Sequence, residues 1–219
     1  MVKRALKFDS YSTADDGWTL AALSLTYPDR RATYVDIPLR DGSVDLSLSL
    51  SDEPVYTTRE LTATLELSVG TRAQRNAIIS NLINRYHCRD AQITLPDDPD
   101  HTLSGRPYIS VQYSTPAHAA IDIRATCQPW RVSTESKLIV VDATETPIQV
   151  QLPNAGSRRE MPTLTVTGSG DITIAKDTNT WTISPVVHII PDIIVPPGGV
   201  TYAISGNGQI QIAYEEAIL

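Results

Sequence analysis

The densest acidic cluster in the sequence is Asp97-Asp98-Pro99-Asp100, followed directly by His101. Carboxylates this close together could ligate Ca²⁺, but the spacing of an EF-hand loop is missing and Pro99 interrupts the run. A hairpin turn explains the segment better, with aspartates capping local amides and the proline fixing one dihedral. His87, His101, His118 and His188 are scattered, without an HExxH pair on one helix face, so the pattern argues against a zinc site. Serines are plentiful, yet no GxSxG elbow or triad arrangement is present, and a hydrolase has the weakest support of any reading. Cys88 and Cys127 lack metal-ligand spacing; both are expected to be reduced and buried. Gly168-Ser169-Gly170 and Gly206-Asn207-Gly208 each precede a strand pattern instead of opening a helix, so neither can cradle a phosphate, and tight hairpin turns are expected. Trp130 and Trp181 could stack on a sugar or anchor a domain edge. Trp181 and Tyr202 are the first candidates for a carbohydrate contact. No catalytic, cofactor or metal residue is nominated, and the expectation is a protein that is not an enzyme.

One helix and many strands must position these residues. Residues 71–89 predict the helix: Thr71 and Gln74 fit a capping box, and Ala73, Ala77, Ile78, Leu82, Ile83 and Tyr86 recur at three- and four-residue steps. Arg72, Gln74, Arg75, Asn76, Asn81 and Asn84 fall on the other side, a face expected to be solvated, while Arg85, His87 and Arg89 suit a helix C-terminus. Two-residue alternation marks strands at 19–25, 44–50 and 61–67 before the helix, and strand patterns at 91–95, 108–113 and 121–127 follow it. Asp41-Gly42, Ser104-Gly105 and Thr115-Pro116 read as turns, and Pro129-Trp130 as the end of a strand. The polar stretch 133–136 reads as a boundary. Beyond it, short strands at 138–141, 148–152, 163–167, 171–175, 180–184, 186–194, 201–205 and 209–214 indicate a sandwich or open barrel. The expectation is a mainly β protein with an N-terminal β-sandwich or barrel domain at 1–134, carrying the helix, and a C-terminal β-sandwich domain at 135–219.

Composition bounds the partners. The chain of 219 residues is 41% hydrophobic and 20% charged, which fits a folded globular protein. With one Phe and three Trp, its cores must rest on Ile, Val and Leu. No apolar run is long enough to span a bilayer, and the basic N-terminus is not followed by a signal core, which argues against export by that route. The net charge is −7, with 14 basic and 16 acidic side chains in 1–134 and 4 basic and 9 acidic in 135–219. Specific nucleic-acid binding is not expected of such a chain, although an acidic surface would let DNA slide past without sticking.

The order of certain segments carries more information than any one of them. Ile37-Pro38-Leu39-Arg40-Asp41-Gly42 precedes Asp45-Leu46 and Tyr56-Thr57-Thr58-Arg59; the helix follows, then Leu95-Pro96-Asp97-Asp98-Pro99, Gly105-Arg106 and Cys127-Gln128-Pro129-Trp130. This series resembles the N-terminal domain of the distal tail proteins of long-tailed, non-contractile bacteriophages. Leu39 is a departure, standing where that family commonly has glycine. Asn154-Ala155-Gly156, Pro162, 165–170, Pro197-Gly198, 204–208 and the closing stretch 209–216 resemble the family's galectin-like C-terminal domain. The resemblance implies a tail-tube-like N-terminal domain and a structural virion protein at the tail tip. It further implies a hexameric ring that joins the tail tube to the tip, fibre or tail-associated lysin protein, that in some relatives holds receptor-binding proteins, and that leaves a passage for DNA. The alternative from another class is a carbohydrate-binding module recognising host cell-wall glycans.

Overall fold

The computed structural model describes residues 4–48, 53–113, 115, 117–168 and 170–219. The chain is mainly β, with sixteen strands and one helix among the described residues. It divides into two compact units, Met1–Arg131 with Leu219, and Val132–Ile218.

The first unit contains β1 (Lys7–Phe8), β2 (Tyr11–Ser12), β3 (Thr19–Leu25), β4 (Tyr34–Asp36), β5 (Ser43–Asp45), β6 (Arg59–Ser68), α1 (Arg72–Tyr86), β7 (Ala91–Leu95), β8 (Asp98–Tyr113) and the first half of β9 (His118–Ala143). Its strands hydrogen-bond in the order β3-β6-β9-β8-β7-β1-β2. β6 and β9 run antiparallel in unbroken register from Arg59 opposite Cys127 to Ser68 opposite His118. Along β6 the inward positions are Arg59, Leu61, Ala63, Leu65 and Leu67, as a period of two demands. The four apolar ones meet Phe8, Trp18, Ile93, Leu103, Ile121 and Ile123 in one core. Each Leu or Ile so buried contributes about 1.5–3 kcal/mol.

α1 lays Ile79, Leu82 and Tyr86 into that core, with Ile78 and Ile83 beside them. Tyr86 also donates its hydroxyl to the Phe8 carbonyl at 3.0 Å. The Thr71 hydroxyl accepts from the Gln74 amide and donates to Gln74 Oε1, so the glutamine takes a hydroxyl proton instead of the backbone N–H that a full capping box would use. The expected stripe was misplaced at its start: Ala73 and Ala77 are exposed, whereas Arg75 is buried and donates to the Thr115 carbonyl at 2.7 Å. The helix stops short of residue 89 because His87 is already extended and Cys88 adopts φ +58°. Cys88 is exposed, contrary to expectation, while Cys127 is buried.

Several expected breaks lie inside strands. Ser104-Gly105 is part of β8, where the missing side chain of Gly105 admits Cys127: a Cβ there would stand 2.6 Å from Sγ. Pro129-Trp130 and residues 133–136 lie within β9. The strand expected at 44–50 is confined to Ser43–Asp45, and positions 49 and 50 fall outside the described residues, as does Pro116 of one expected turn. The expected hairpin turn falls earlier than most of the acidic cluster: β7 and β8 pair antiparallel with Leu95 opposite Asp98, leaving Pro96 and Asp97 at the bend, while Asp98, Pro99 and Asp100 already belong to β8.

The second unit contains the remainder of β9 with β10 (Ile148–Leu152), β11 (Thr163–Thr167), β12 (Ile172–Lys176), β13 (Asn179–Ile183), β14 (Val187–Ile189), β15 (Val200–Gly206) and β16 (Gly208–Ile218). One sheet has the order β10-β15-β12-β13, and a second runs β14-β11-β16-β9. Inward residues of both, among them Val150, Leu164, Val166, Ile174, Ile183, Ile204, Ile210 and Ile212, form one core. The two Gly-x-Gly segments are not hairpin turns. β11 and β16 belong to one sheet and β12 and β15 to the other, so each segment is a corner carrying the chain between sheets. The corners lie against each other, with φ +122° at Gly168 and +138° at Gly206, and a Cβ on Gly170 would fall 2.7 Å from the Asn207 carbonyl oxygen. Only glycine fits such an approach. Ser169 lies outside the described residues.

Candidate interface: an exposed arm and its anchor

Between Leu25 and Arg59 the chain leaves the first sheet and forms a ribbon of its own. β4 and β5 pair Tyr34 with Asp45, Val35 with Val44 and Asp36 with Ser43, as a separate two-stranded sheet. Toward the root the ribbon is held by Leu46 N–H to the Thr33 carbonyl at 2.8 Å, Arg31 N–H to the Val55 carbonyl at 2.7 Å, and a bridge between Arg30 and Tyr56. Ser43 donates to the Asp36 carboxylate, and the Ser47 amide to that of Asp45. At the tip, Leu39 has φ +66° and Gly42 +77°, and the Arg40 amide reaches the Ile37 carbonyl at 3.2 Å.

The arm has nothing to bury. Among the described residues, no side chain from Tyr27 to Thr57 enters the core of this unit. Tyr34, Val35, Ile37, Leu39, Leu46, Leu48 and Val55 are all exposed, on both faces of the ribbon. A two-stranded ribbon without a third strand or a helix is marginally stable in water. Leu39 is the extreme case, fully solvent-exposed in a left-handed conformation that costs a leucine about 1–2 kcal/mol.

The root is built from residues far apart in sequence. Arg59, 2% exposed, donates from Nε to the Pro129 carbonyl at 2.7 Å. Its guanidinium lies 5.5 Å from the ring centroid of Tyr27, a residue 81% exposed, and Tyr56 meets Trp130 edge to face at 5.4 Å. Burial, and then the charge of Arg131, push the Arg59 pKa down; Tyr27 and Cys127 oppose this. Cys127, opposite Arg59 in the β6–β9 register, is pushed up to about 11 by burial. Arg131 pairs with Asp98 at 2.8 Å, and Asp98 also holds His101 Nδ1 at 2.6 Å. Arg59 Nη2 and Arg131 Nε are buried without a hydrogen-bond partner.

Sequence order had placed Tyr56, Arg59, Pro129 and Trp130 in two separate segments; the structure joins them at one point. Arg59 as an inward residue was overlooked, although extending the β6 alternation back one step from Leu61 reaches it. The two carbohydrate candidates are adjacent, with centroids 6.3 Å apart, but Tyr202 is 2% exposed and its hydroxyl bonds to the backbone of Ile194. Trp181 is half-buried and packs against the core of the second unit. Among the described residues, no three His, Cys, Asp or Glu side chains gather as metal ligands, and no helix is long and apolar enough to cross a membrane.

No family model matches the sequence, and no curated protein matches it. Among solved structures, the crystal structure of the SPP1 Dit (gp 19.1) protein superposes with a TM-score of 0.67, covering 98% of this chain and 99% of that one at 15% identity. The chain has the Dit fold. SPP1 Dit is described as a paradigm of the hub adsorption apparatus in phages that infect Gram-positive bacteria. The likeness to Dit runs through both compact units, since nearly the whole of each chain is matched.

Proposed function

We propose that this chain is a distal tail protein, a non-catalytic structural component of a bacteriophage tail located at the tail tip. In this reading copies of the chain form a hexameric ring that continues the tail tube, carries the tip, fibre or tail-associated lysin protein, and leaves a passage for DNA. Residues 1–134 build the ring, and residues 135–219 form a galectin-like domain available to receptor-binding proteins. The end-to-end likeness to SPP1 Dit carries the proposal. Two features of the first unit support it. The arm displays apolar side chains that the single chain leaves uncovered. β3 has one described neighbour, β6, and its sequence Thr-Leu-Ala-Ala-Leu-Ser-Leu contains none of the charges or prolines that usually protect a sheet edge. A carbohydrate-binding module would have to rest on Trp181 without Tyr202. Light scattering and electron micrographs of the purified protein, alone and mixed with a tail-tube protein, test the proposal. Rings are expected, and monomers under both conditions would overturn it.

A further inference from the structure

We infer that the β4–β5 arm of one copy seats on the basic face of α1 in the next copy. The inference rests on the ring reading and assigns the two surfaces that make its contact. The arm is acidic: residues 34–48 contain Asp36, Asp41 and Asp45 against Arg40 alone. The helix region is its complement, since residues 71–89 contain Arg72, Arg75, Arg85 and Arg89 and no acidic residue. Arg75 is committed inward, but Arg72, Arg85 and Arg89 are exposed, and none of the three makes an ion pair among the described residues. Asp41, at the arm tip, makes none either.

Shape agrees with charge. Between Arg72 and Arg85 the outer side of α1 carries the exposed small residues Ala73, Ala77 and Ser80, flanked by the exposed amides of Asn76, Asn81 and Asn84, which could hydrogen-bond a ribbon lying along it. Thirteen helical steps separate the two arginines by roughly 20 Å. Six extended steps from Thr33 to Leu39 also span roughly 20 Å. Seating the ribbon there would cover one of its apolar faces, Leu39 included, and bring Asp36, Asp41 and Asp45 against cations that make no ion pair among the described residues, although Arg85 lies 5.9 Å from the centroid of the Tyr11 ring. Because arm and helix are different surfaces of the same chain, the contact is head-to-tail, the type that closes into a ring when its rotation permits.

Charge reversal on each surface, followed by their combination, tests the contact. The variants are Asp36→Arg/Asp41→Arg on the arm, Arg72→Glu/Arg89→Glu at the start of the helix and just past its end, and all four together. The readout is oligomer mass by light scattering at low and high salt, with circular dichroism confirming the fold. Each double variant should weaken assembly about tenfold, the combination should restore it, and salt should weaken the wild-type contact. Wild-type rings that persist unchanged in both double variants, or a combination that does not recover, would overturn the arm–helix contact while leaving the ring intact. A wild type that is monomeric throughout would remove the ring reading and this contact together. Loss of binding to a fluorescent oligonucleotide in Arg72→Glu/Arg89→Glu, with rings retained, would reassign the helix face to nucleic acid and likewise overturn the contact.

Discussion

Arg59 Nε and the Pro129 carbonyl oxygen, 2.7 Å apart and 70 residues apart in the chain, tie the root of the arm to the middle of β9. The guanidinium is taken out of water and makes no ion pair among the described residues, and the exposed Tyr27 ring lies 5.5 Å from it. Replacing Arg59 by Ala removes a charge-assisted hydrogen bond and leaves a void beside Cys127. We expect a loss of about 2–4 kcal/mol in urea denaturation. Arg59→Lys should recover little of it, because an ammonium is more strongly hydrated than a guanidinium and costs more to hold at a buried site. Equal stability of Arg59→Ala and wild type would show that the anchor contributes nothing.

The tip of the arm offers a different test. Leu39 occupies φ +66° while its side chain stands in solvent, so the backbone conformation, and no packing within the chain, sets the preference at this position. Leu39→Gly should relieve the strain but add freedom to the unfolded chain, for a net change within about 1 kcal/mol. Leu39→Val, with a β-branched side chain forced into the same conformation, should loosen the tip. Hydrogen exchange at the amides of β4 and β5 should therefore change little in the glycine variant and quicken in the valine variant, and faster exchange in the glycine variant than in the valine variant would refute the account.

How far such features could be read beforehand depends on the range of the interaction that creates them. Strands β10 and β11 lie at their expected residues, 148–152 and 163–167, because alternation is a local consequence of one buried face. β8 and β9 run longer than expected because their apparent breaks are answered by distant partners: Gly105 by the Cys127 side chain, Pro129 by the Arg59 guanidinium. The same long-range register hid the anchor, since only the pairing of Arg59 with Cys127 brings Tyr56 and Trp130 together. Arg59 and Arg75 were missed for one common reason. Each continues an apolar period inward, at β6 and at α1, with a residue type usually assigned to solvent.

The two cysteines should separate cleanly by reactivity. Burial pushes the Cys127 thiol up to about 11, so almost none is thiolate at neutral pH, and the side chain is enclosed, whereas Cys88 is exposed. Native protein should release one equivalent of thionitrobenzoate from a disulfide reagent, and denatured protein two. Release of both equivalents at the same rate from native protein would contradict the packing of Gly105 against Cys127.

Glu160 supplies the pH-dependent test. It is 7% exposed and forms a two-point ion pair with Arg158 at 2.9 and 2.8 Å, yet its pKa is raised above the ordinary 4.5. Burial is the largest cause and outweighs the neighbouring guanidinium, while Glu215 and Glu216 push the same way. A carboxyl whose folded pKa is raised binds its proton more tightly in the folded state. Its contribution to stability is therefore present in full below pH 4.5 and is lost as pH rises through the folded value. Glu160→Gln cannot ionise and lacks this dependence. In urea titrations, wild type should gain stability relative to Glu160→Gln on going from neutral pH to below 4.5. A change in the opposite direction would mean that the ion pair with Arg158 dominates over burial at this position.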